Sequence, residues 1–509
     1  MGKVIGIDLG TTFSAIAELD DLGTPEVLAD PESGNRITRS AVYFGREKAI
    51  IGDKAKDAAV TNRNKVVTEV KREMENDVIF SFKEGKFVTN NGKVKGYTPS
   101  QISSLILSKL KGYTSKIKKA VITVPAQFAD RARGATLDAA KLSKLDIELI
   151  NEPTAAVLHY ANLPNVSLAG RVMVFDLGGG TFDISIAKVM GKKVEVLTSV
   201  GDKELGGQDF DREILKIIDK KYKKLKGKNL DLGDPSMMDL AERIKKLLST
   251  KEKVSEIVEG PKGPTKIDVS RSEFENSIDT FLEKIKMLME DSLDRKKLKP
   301  SNISQILLVG GSTRIPIISE IINKVMKKNP IKGVNVDEAV ACGAAIYAGL
   351  QNKSDLNSAQ KKAVSKVEMS DICPHNLGTI VVGVDQERNQ AMQYNDIIIK
   401  RDTKLPASVT KDYAVLHDNQ ETIKCTVTQS EEPEEDIEFV VTIGEEQLPL
   451  AKNAKAGEKI QVTYSYDLSG KVHCIFKESK SGKKTELSLK PEGSKTIKDL
   501  KENLDFEIE

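Results

Sequence analysis

Short apolar runs separated by glycine-rich turns mark the first part of the chain. Residues 172–175 and 184–189 are apolar runs of strand length, with Gly178, Gly179 and Gly180 between them. This pattern predicts two buried strands joined by a hairpin turn. Three glycines exceed what a tight turn needs, and without Cβ atoms the turn can lay its N–H groups against a bulky anion. A flexible hairpin tip is the alternative interpretation.

The same pattern occurs at a second place. Residues 4–19 (VIGIDLGTTFSAIAEL) and 172–189 (VMVFDLGGGTFDISIAKV) both contain a strand, then Asp-Leu-Gly, a small-residue turn with threonine, and another strand. Asp8 and Asp176 are therefore equivalent. Such a duplication predicts two similar lobes whose turns oppose each other across a cleft. Turns placed in this way can grip a polyphosphate, and the two aspartates can hold a hydrated Mg2+.

A third glycine turn follows a strand in residues 306–321. Gly310 and Gly311 precede an apolar-periodic helix, which is the form of an anion or nucleotide site. The chain contains no GxxxxGK[ST] motif and no GxGxxG motif after a strand, so a P-loop and a Rossmann dinucleotide site are disfavoured.

Composition narrows the class of protein. The chain has 509 residues, of which 39% are hydrophobic and 30% charged, and this predicts a globular protein of two or more domains. Its net charge of +3 gives no support for nucleic-acid binding, and the lysines of residues 216–228 are expected on the solvated face of a helix. No signal peptide and no apolar run of membrane-spanning length are present, so we expect a cytoplasmic protein. Four scattered cysteines indicate neither disulfides nor zinc.

The pattern changes in the last third of the chain. Residues 351–370 are polar and predict a linker after a final helix. After Asp371, short strands of alternating polarity are separated by turns, and these predict an antiparallel β-sandwich.

Seven motifs carry a resemblance to a known family. They are IGIDLGTTFSAIAEL, VITVPAQFADRAR, INEPTAAVLHY, VFDLGGGTFDIS, GGQDFD, ILLVGGSTRIPII and DEAVACGAAIYAG. In order and spacing they resemble the Hsp70 (DnaK-type) chaperones over residues 1–492. The resemblance implies a duplicated, actin-like (ribonuclease H-like) α/β ATPase domain over residues 1–353, a linker over 354–370, a β-sandwich peptide-binding domain over 371–493 and a short tail over 494–509.

The resemblance also implies a nucleotide site that binds ATP or ADP with Mg2+, and K+ is a second candidate cation. The residues implied in catalysis are Lys71, Glu152, Asp176, Thr181 and Asp183. Those implied in metal binding are Asp8 and Asp176. Those implied in nucleotide binding are Gly10, Thr11, Thr12, Phe13, Gly178, Gly179, Gly180, Gly206, Gly207, Glu242, Lys245, Ser249, Gly310, Gly311, Ser312, Arg314 and Asp337. Lys71 would stabilise charge on the γ-phosphate, Glu152 would orient the attacking water, and Arg314 would stack on the adenine.

Two further groups follow from the resemblance. The residues implied in peptide binding are Val381, Val382, Tyr413, Leu416, Ile423 and Cys425. The residues implied in interdomain signalling are Pro125, Arg133 and Asp371. The pattern alone leaves open that Pro125 ends a strand and that Ile423 and Cys425 are ordinary sandwich core.

Three departures from the family pattern qualify these expectations. Residues 494–509 stand where the family has a helical lid, so we expect a form without a closing lid. The linker KVEMSD has Val367 and Met369 as its only apolar residues, which predicts weak docking onto the ATPase domain. Glu148 occupies a position that is commonly basic where a J-domain co-chaperone docks, and an acidic residue there would repel an acidic motif.

Three functions remain in competition. The first is an ATP-hydrolysing chaperone for extended apolar peptide segments of unfolded proteins. The second is an ATP-binding holdase or nucleotide-exchange partner with little hydrolysis. The third is a sugar or acetate kinase, which the sandwich disfavours. For the first, we expect a monomer that works with a J-domain co-chaperone and an exchange factor and binds neither nucleic acid nor membranes.

Overall fold

The computed structural model describes residues 2–46, 48–90, 95–163, 166, 168–331, 335–365, 367–385, 390–467, 472–489 and 507–508. These residues form a two-lobed α/β domain followed by an antiparallel β-sandwich, which confirms the predicted fold class. In the described residues, no helix combines the length and the apolar character needed to cross a membrane.

The first lobe is built on a mixed sheet in the order β12-β11-β1-β2-β3. Its elements are β1 (Lys3–Asp8), β2 (Phe13–Leu19), β3 (Pro25–Val27), β4 (Thr38–Arg39), β5 (Val42–Phe44), β6 (Lys48–Ile51), α1 (Asp53–Asp57), α2 (Ala59–Asn62), β7 (Val66–Val67), β8 (Val78–Ser81), β9 (Lys86–Thr89), β10 (Gly96–Tyr97), α3 (Pro99–Lys111), β11 (Ile117–Val124), α4 (Asp130–Leu142), β12 (Ile147–Asn151) and α5 (Glu152–Asn162). The β1–β2 hairpin is antiparallel, and β11 lies parallel to β1. Asp8 therefore ends a central, buried strand.

The second lobe repeats this plan. Its elements are β13 (Gly170–Leu177), β14 (Phe182–Met190), β15 (Lys193–Asp202), α6 (Gly207–Lys226), α7 (Pro235–Leu248), β16 (Lys253–Val258), β17 (Thr265–Ser270), α8 (Arg271–Ser277), α9 (Asp279–Asp294), β18 (Gln305–Val309) and α10 (Pro316–Met326). The following helix, α11 (Ala339–Gln351), packs on the sheet of the first lobe. The antiparallel β13–β14 hairpin has β18 parallel to β13, just as β11 lies parallel to β1. The internal duplication read from the sequence is therefore present in the sheet topology.

The two lobes meet where helices pack without side chains between their backbones. Gly343 on α11 faces α5 so closely that an added Cβ would lie 1.7 Å from the Ala155 carbonyl oxygen. Gly6 on β1 faces the other side of the same helix, and its added Cβ would lie 2.1 Å from the Ala345 backbone nitrogen. Helix α11 packs on β1 and β2, and α5 packs on β13 and β14, so the close approach of the two helices at these glycines joins the two hairpins.

The polar stretch predicted as a linker has regular structure. It contains α12 (Ser358–Val364) and the strand β19 (Glu368–Ser370). Strand β19 lies parallel to β15 and extends the sheet of the second lobe to the order β18-β13-β14-β15-β19. Val364 and Val367 are buried against the core between the lobes. The linker is therefore docked in this structure, and its weak docking stays a prediction.

In the described residues, eight strands form the sandwich. They are β20 (Asn376–Asp385), β21 (Gln390–Ile399), β22 (Ala407–Ala414), β23 (Thr422–Ser430), β24 (Val441–Pro449), β25 (Lys459–Tyr466), β26 (Val472–Glu478) and β27 (Lys484–Ser488). The two sheets have the orders β21-β20-β23-β24 and β22-β25-β26-β27. Alternate residues of both sheets, Tyr464 and Phe476 among them, fill the space between them.

The tail predicted over residues 494–509 lies outside the described residues, apart from one strand. That strand, β28 (Glu507–Ile508), lies parallel to β6 at the edge of a small sheet in the first lobe.

Candidate active site

The two duplicated turns face each other across the cleft. An added Cβ on Gly179 would lie 1.9 Å from the Thr12 hydroxyl oxygen, and one on Gly180 would lie 2.6 Å from the Thr11 side chain. The turns are thus in contact, and only glycine on one side leaves room for threonine on the other. This is the arrangement that the duplication predicted.

The remaining glycine turns converge on the same place. The backbone N–H of Gly207, at the start of α6, donates to the Gly178 carbonyl (3.0 Å), and the Ser312 hydroxyl donates to that carbonyl as well (2.9 Å). Gly206 packs on Gly179 so closely that an added Cβ would meet its carbonyl group at 2.6 Å. Gly310 has φ +82, a conformation that favours glycine. Three glycine turns that are far apart in sequence therefore form one polar cradle.

Three aspartates lie in the floor of this cradle. Asp8 ends β1 and accepts a hydrogen bond from Thr123 (3.1 Å), while Asp176 and Asp183 stand opposite each other on β13 and β14. Burial, with repulsion from Glu152, raises the pKa of Asp8 to about 7 and that of Asp183 to about 8. The same two causes raise the pKa of Asp176. The carboxyl groups of the floor are therefore harder to ionise than free aspartates, because they are buried close to one another.

Lys71 supplies the positive charge within this group. It lies in the 3₁₀ helix Val70–Glu73, and its ammonium forms a buried ion pair with Glu152, the first residue of α5. The Phe128 ring lies 5.8 Å from the same nitrogen and closes one side. A buried ammonium held beside opposed backbone turns can stabilise negative charge that develops on a phosphate between them.

The donor set fits a hydrated divalent cation. Asp8, Asp176, Asp183 and Glu152 surround the ammonium of Lys71, so four carboxyl groups share one positive charge and the site favours a further cation. The Oδ1 atom of Asp183 and the Thr12 hydroxyl have no hydrogen-bond partner among the described residues. Those residues include no cluster of three acidic, histidine or cysteine side chains able to ligate a metal directly. Mg2+ does not need one, because it keeps several waters and uses one or two carboxylates.

The residues predicted for the adenosine side lie around α7. Lys245 donates to the Gly207 carbonyl (2.7 Å) and pairs with Asp211 (2.8 Å), which ties α7 to the cradle. Ser249 follows the helix, and its hydroxyl donates to the Lys245 carbonyl (3.3 Å). Burial alone would raise the pKa of Glu242, but a hydrogen bond from Lys246 and the nearby cations outweigh it and lower this pKa to about 2.

Arg314 and Asp337 lie beside Gly311 and form a two-point ion pair, with distances of 2.9 and 2.8 Å. On the first-lobe side, Gly10 donates to the Ser14 hydroxyl (3.2 Å), and the Phe13 ring lies 4.5 Å below the guanidinium of Arg39. Thr181 closes the central turn by accepting from the Gly178 N–H (3.0 Å).

Several residues of the site escaped sequence reasoning. Arg72 donates to the Gly180 carbonyl (2.8 Å) and pairs with Asp209, so it clamps the first lobe to the central turn. Arg39 and Lys56 reach from the first lobe to Glu242, at 3.4 and 3.1 Å. The position of Arg72 next to Lys71 and the first aspartate of GGQDFD were the available signals. No sequence pattern around Arg39 or Lys56 indicated their contact with Glu242.

The structure joins two of the predicted signalling residues. Arg133 donates to the Oδ1 atom of Asn151 (2.6 Å), and the amide of Asn151 donates to the carboxylate of Asp371 (3.0 Å). Thr154 donates to the same carboxylate oxygen (3.0 Å). Pro125 follows β11 and is buried, which agrees with its plain interpretation as a strand end. The hydrogen bonds from Arg133 and to Asp371 meet at Asn151, which immediately precedes Glu152 in the chain.

The sandwich rests on the α/β domain through charged contacts beside this chain. Arg401 donates to the Ser199 carbonyl (2.6 Å) and to the Gln127 side-chain oxygen (3.3 Å). Lys404 pairs with Glu195 on β15 (3.1 Å). The docked strand β19 and these contacts thus use the same strand of the second lobe.

The predicted peptide-contacting residues are spread over both sheets of the sandwich. They lie on β20 (Val381, Val382), on β22 (Tyr413), in the loop after β22 (Leu416) and on β23 (Ile423, Cys425). Val382 and Leu416 are 38% and 46% exposed, so both can touch a ligand. Tyr413 donates its hydroxyl to Asp396 (2.8 Å). Cys425 is buried in the sandwich core and Ile423 packs against it, so the core interpretation describes both, and peptide contact by them stays a prediction.

A comparison with models of protein families matches residues 4–505 to the family described as Hsp70 protein. The matched range begins in β1 and extends past β27, so it includes the α/β domain, the docked linker and the sandwich.

Proposed function

The chain belongs to the Hsp70 family, and on that premise we propose that it is an ATP-hydrolysing chaperone that binds extended apolar segments of unfolded proteins. The observation that carries this proposal is the buried ion pair between Lys71 and Glu152 beside the opposed turns. A protein that only stored ATP would need the turns for affinity but would have no use for this pair.

The proposed roles follow from the position of each side chain. The N–H groups of the opposed turns bind and orient the phosphates, and the ammonium of Lys71 stabilises charge that develops on the γ-phosphate. Glu152 holds the attacking water and is itself held by Lys71. Asp8 and Asp176 are the carboxylates that would hold Mg2+ through its waters, and the ion would neutralise phosphate charge. Asp183 assists from the opposite strand.

Peptide binding is proposed for the sandwich, with Val382 and Leu416 at the surface of the channel. An extended peptide would be held by backbone hydrogen bonds, with one apolar side chain in a pocket. Coupling between the domains would run from Asp371 through Asn151 to Glu152, because these groups are in hydrogen-bond contact or adjacent in the chain. We also propose a cytoplasmic setting, a J-domain co-chaperone and an exchange factor as partners, with Glu148 lowering affinity for a J-domain that carries an acidic motif.

A single-turnover ATP assay with and without a leucine-rich peptide tests the proposal. We expect measurable hydrolysis that requires Mg2+ and is accelerated by the peptide. ATP binding without turnover, together with peptide binding, would instead identify a holdase. Phosphate transfer to a sugar or to acetate would identify a kinase.

The Leu416→Ser variant adds a second measurement. It should lose peptide acceleration and keep basal turnover, because Leu416 is exposed and far along the chain from the α/β domain. Ala414→Ser is a matched control, since this residue is also exposed and ends β22, two residues before Leu416. Equal peptide acceleration in both variants would contradict the proposed channel.

A further inference from the structure

A cavity of about 580 Å³ lies where the sandwich meets the α/β domain. Gln127, Asp130 and Lys203 line it from the α/β domain, and Glu434, Phe439 and Val441 are among those that line it from the sandwich. This volume is in the range of ligand-binding pockets, commonly about 300–1,000 Å³. Since both domains supply walls, the cavity exists only while they are docked.

One part of the sandwich wall of the cavity is apolar and open to solvent. Phe439 and Val441 are 69% and 66% exposed, although both are large apolar side chains. Ile443 on β24 continues this wall and is only partly buried. Neighbouring exposed apolar side chains in a concave surface favour a ligand with an apolar group of its own.

The wall from the α/β domain presents one donor and one acceptor without partners. The Gln127 side-chain oxygen accepts from Arg401, which fixes the orientation of the amide and leaves its Nε2 group as a donor. Nε2 of Gln127 and Oδ2 of Asp130 are both buried, and neither has a hydrogen-bond partner among the described residues. Buried polar atoms are normally satisfied, so this pair indicates a ligand that offers both a carbonyl and an N–H donor.

The charged side chains that line the cavity restrict the kind of ligand further. Glu75 and Glu432 at the cavity are paired with Lys203 (2.5 Å) and Arg295 (2.5 Å). No ion pair within 4.0 Å is found in the described part of the chain for Asp130, Glu431 or Glu434, which also line the cavity. Arg131 also lines the cavity, but it lies 4.0 Å from Asp77, and Arg133 acts on Asp130 only through its charge. Acidic side chains still outnumber basic ones in the lining, and this favours a cationic occupant.

We propose that this cavity is a second peptide site, separate from the predicted channel, which takes a short extended segment carrying arginine beside an apolar residue. The guanidinium donates to Asp130 and Glu434, a backbone carbonyl accepts from Gln127, and the apolar side chain packs on Phe439 and Val441. Occupancy favours the docked arrangement, because a ligand shifts an equilibrium toward the state that binds it better.

The test uses the full chain and a fluorescein-labelled hexapeptide, Ala-Ala-Arg-Leu-Ala-Ala, with binding measured by fluorescence anisotropy. A second peptide with citrulline in place of arginine keeps the shape and removes the charge. We expect the citrulline peptide to bind about tenfold more weakly, which is the loss of one charge-assisted contact. Equal affinity of the two peptides would overturn the proposal.

Variants place the bound peptide in one site or the other. Asp130→Asn, Glu434→Gln and Phe439→Ser should each weaken binding at least about fivefold. Glu438→Gln is the matched control, because this exposed glutamate lies in the same loop but does not line the cavity. Leu416→Ser, in the predicted channel, should weaken binding less than any of these three variants. Loss of binding in Leu416→Ser, with the cavity variants unaffected, would assign the peptide to the channel and overturn the proposal.

A small cation serves as the last probe. If phenethylguanidine competes as strongly as the peptide, the cavity is a site for small organic cations and the peptide assignment is wrong. The outcome does not depend on the ATPase proposal, because all these measurements are made without ATP turnover.

Discussion

The side-chain amide of Asn151 donates a hydrogen bond of 3.0 Å to the carboxylate of Asp371 in the linker. Asn151 immediately precedes Glu152, the residue proposed to orient the attacking water. The end of the linker and the end of α5 that carries Glu152 are therefore joined through one side chain. Because Thr154 donates to the same oxygen of Asp371, this carboxylate fixes the first turn of α5 as well.

The first prediction concerns this contact. In Asp371→Asn the new amide group would face the N–H of Ile372, which now donates to the carboxylate (2.8 Å), so one acceptor is lost in a buried place. We expect basal ATP turnover to persist and its acceleration by peptide to fall several-fold. Steady-state turnover with and without peptide measures both. Ser370→Ala is the control, because the Ser370 hydroxyl has no partner in the described residues. Unchanged acceleration in Asp371→Asn would rule out this route.

The second prediction concerns the buried lysine. Lys71→Met should lower single-turnover hydrolysis by about a hundredfold, which is typical for the loss of one group that stabilises transition-state charge. ATP affinity should change little, because the turns still bind the phosphates. Filter binding and single-turnover kinetics separate the two effects. Lys111→Met removes a lysine that only caps the Ser143 and Lys144 carbonyls, and it should keep parental turnover. Hydrolysis at the parental rate in Lys71→Met would remove Lys71 from the mechanism.

The third prediction separates two adjacent glycines. An added Cβ on Gly179 meets the Thr12 hydroxyl at 1.9 Å, whereas one on Gly178 meets nothing closer than 3.6 Å. Gly179→Ala should therefore force the opposed turns apart and lower the melting temperature of the free protein, and Gly178→Ala should not. Both should weaken ATP binding if the phosphates lie on this turn. Thermal unfolding and nucleotide titration test the two statements separately. Equal stability of the two variants would contradict the close approach of the turns.

The fourth prediction is a pH dependence. Burial, with the charges of Arg401, Arg133 and Lys203, lowers the pKa of His375 to about 3, against 6.5 when unperturbed. A lowered pKa means that the folded protein holds the histidine in its neutral form. The contribution of this group to the free energy of unfolding is therefore complete above pH 6.5, and it is lost as the pH falls from 6.5 toward 3. At about pH 5.5 the free energy of unfolding should drop by about 1.4 kcal/mol from this group.

Denaturant unfolding between about pH 7.5 and 5.5 measures the effect. Over this pH range, the free energy of unfolding should fall by about 1.4 kcal/mol less in His375→Gln than in the parent protein. His417→Gln replaces an exposed histidine and should follow the parent. If all three proteins lose stability in parallel, His375 is not held neutral by the fold.

The sequence by itself determined the features that depend on local pattern. Strand-length apolar runs, the Asp-Leu-Gly turns and the alternating strands after Asp371 specify the hairpins and the sandwich, because strand formation and tight turns follow from neighbouring residues. The duplication then indicated that Asp8 and Asp176 are equivalent ends of central strands, and the sheet topology agrees.

Only the tertiary structure decided which distant groups meet. Arg39 and Lys56 contact Glu242, and Arg72 contacts the Gly180 carbonyl. These partners are far apart in sequence, and no spacing pattern relates them. The linker shows the same limit. Its polarity predicted a linker, and nothing in that polarity indicated that strand β19 would pair with β15, about 175 residues earlier, and extend its sheet. Backbone pairing with a distant strand depends on where that strand lies, and the composition of the linker does not carry that information.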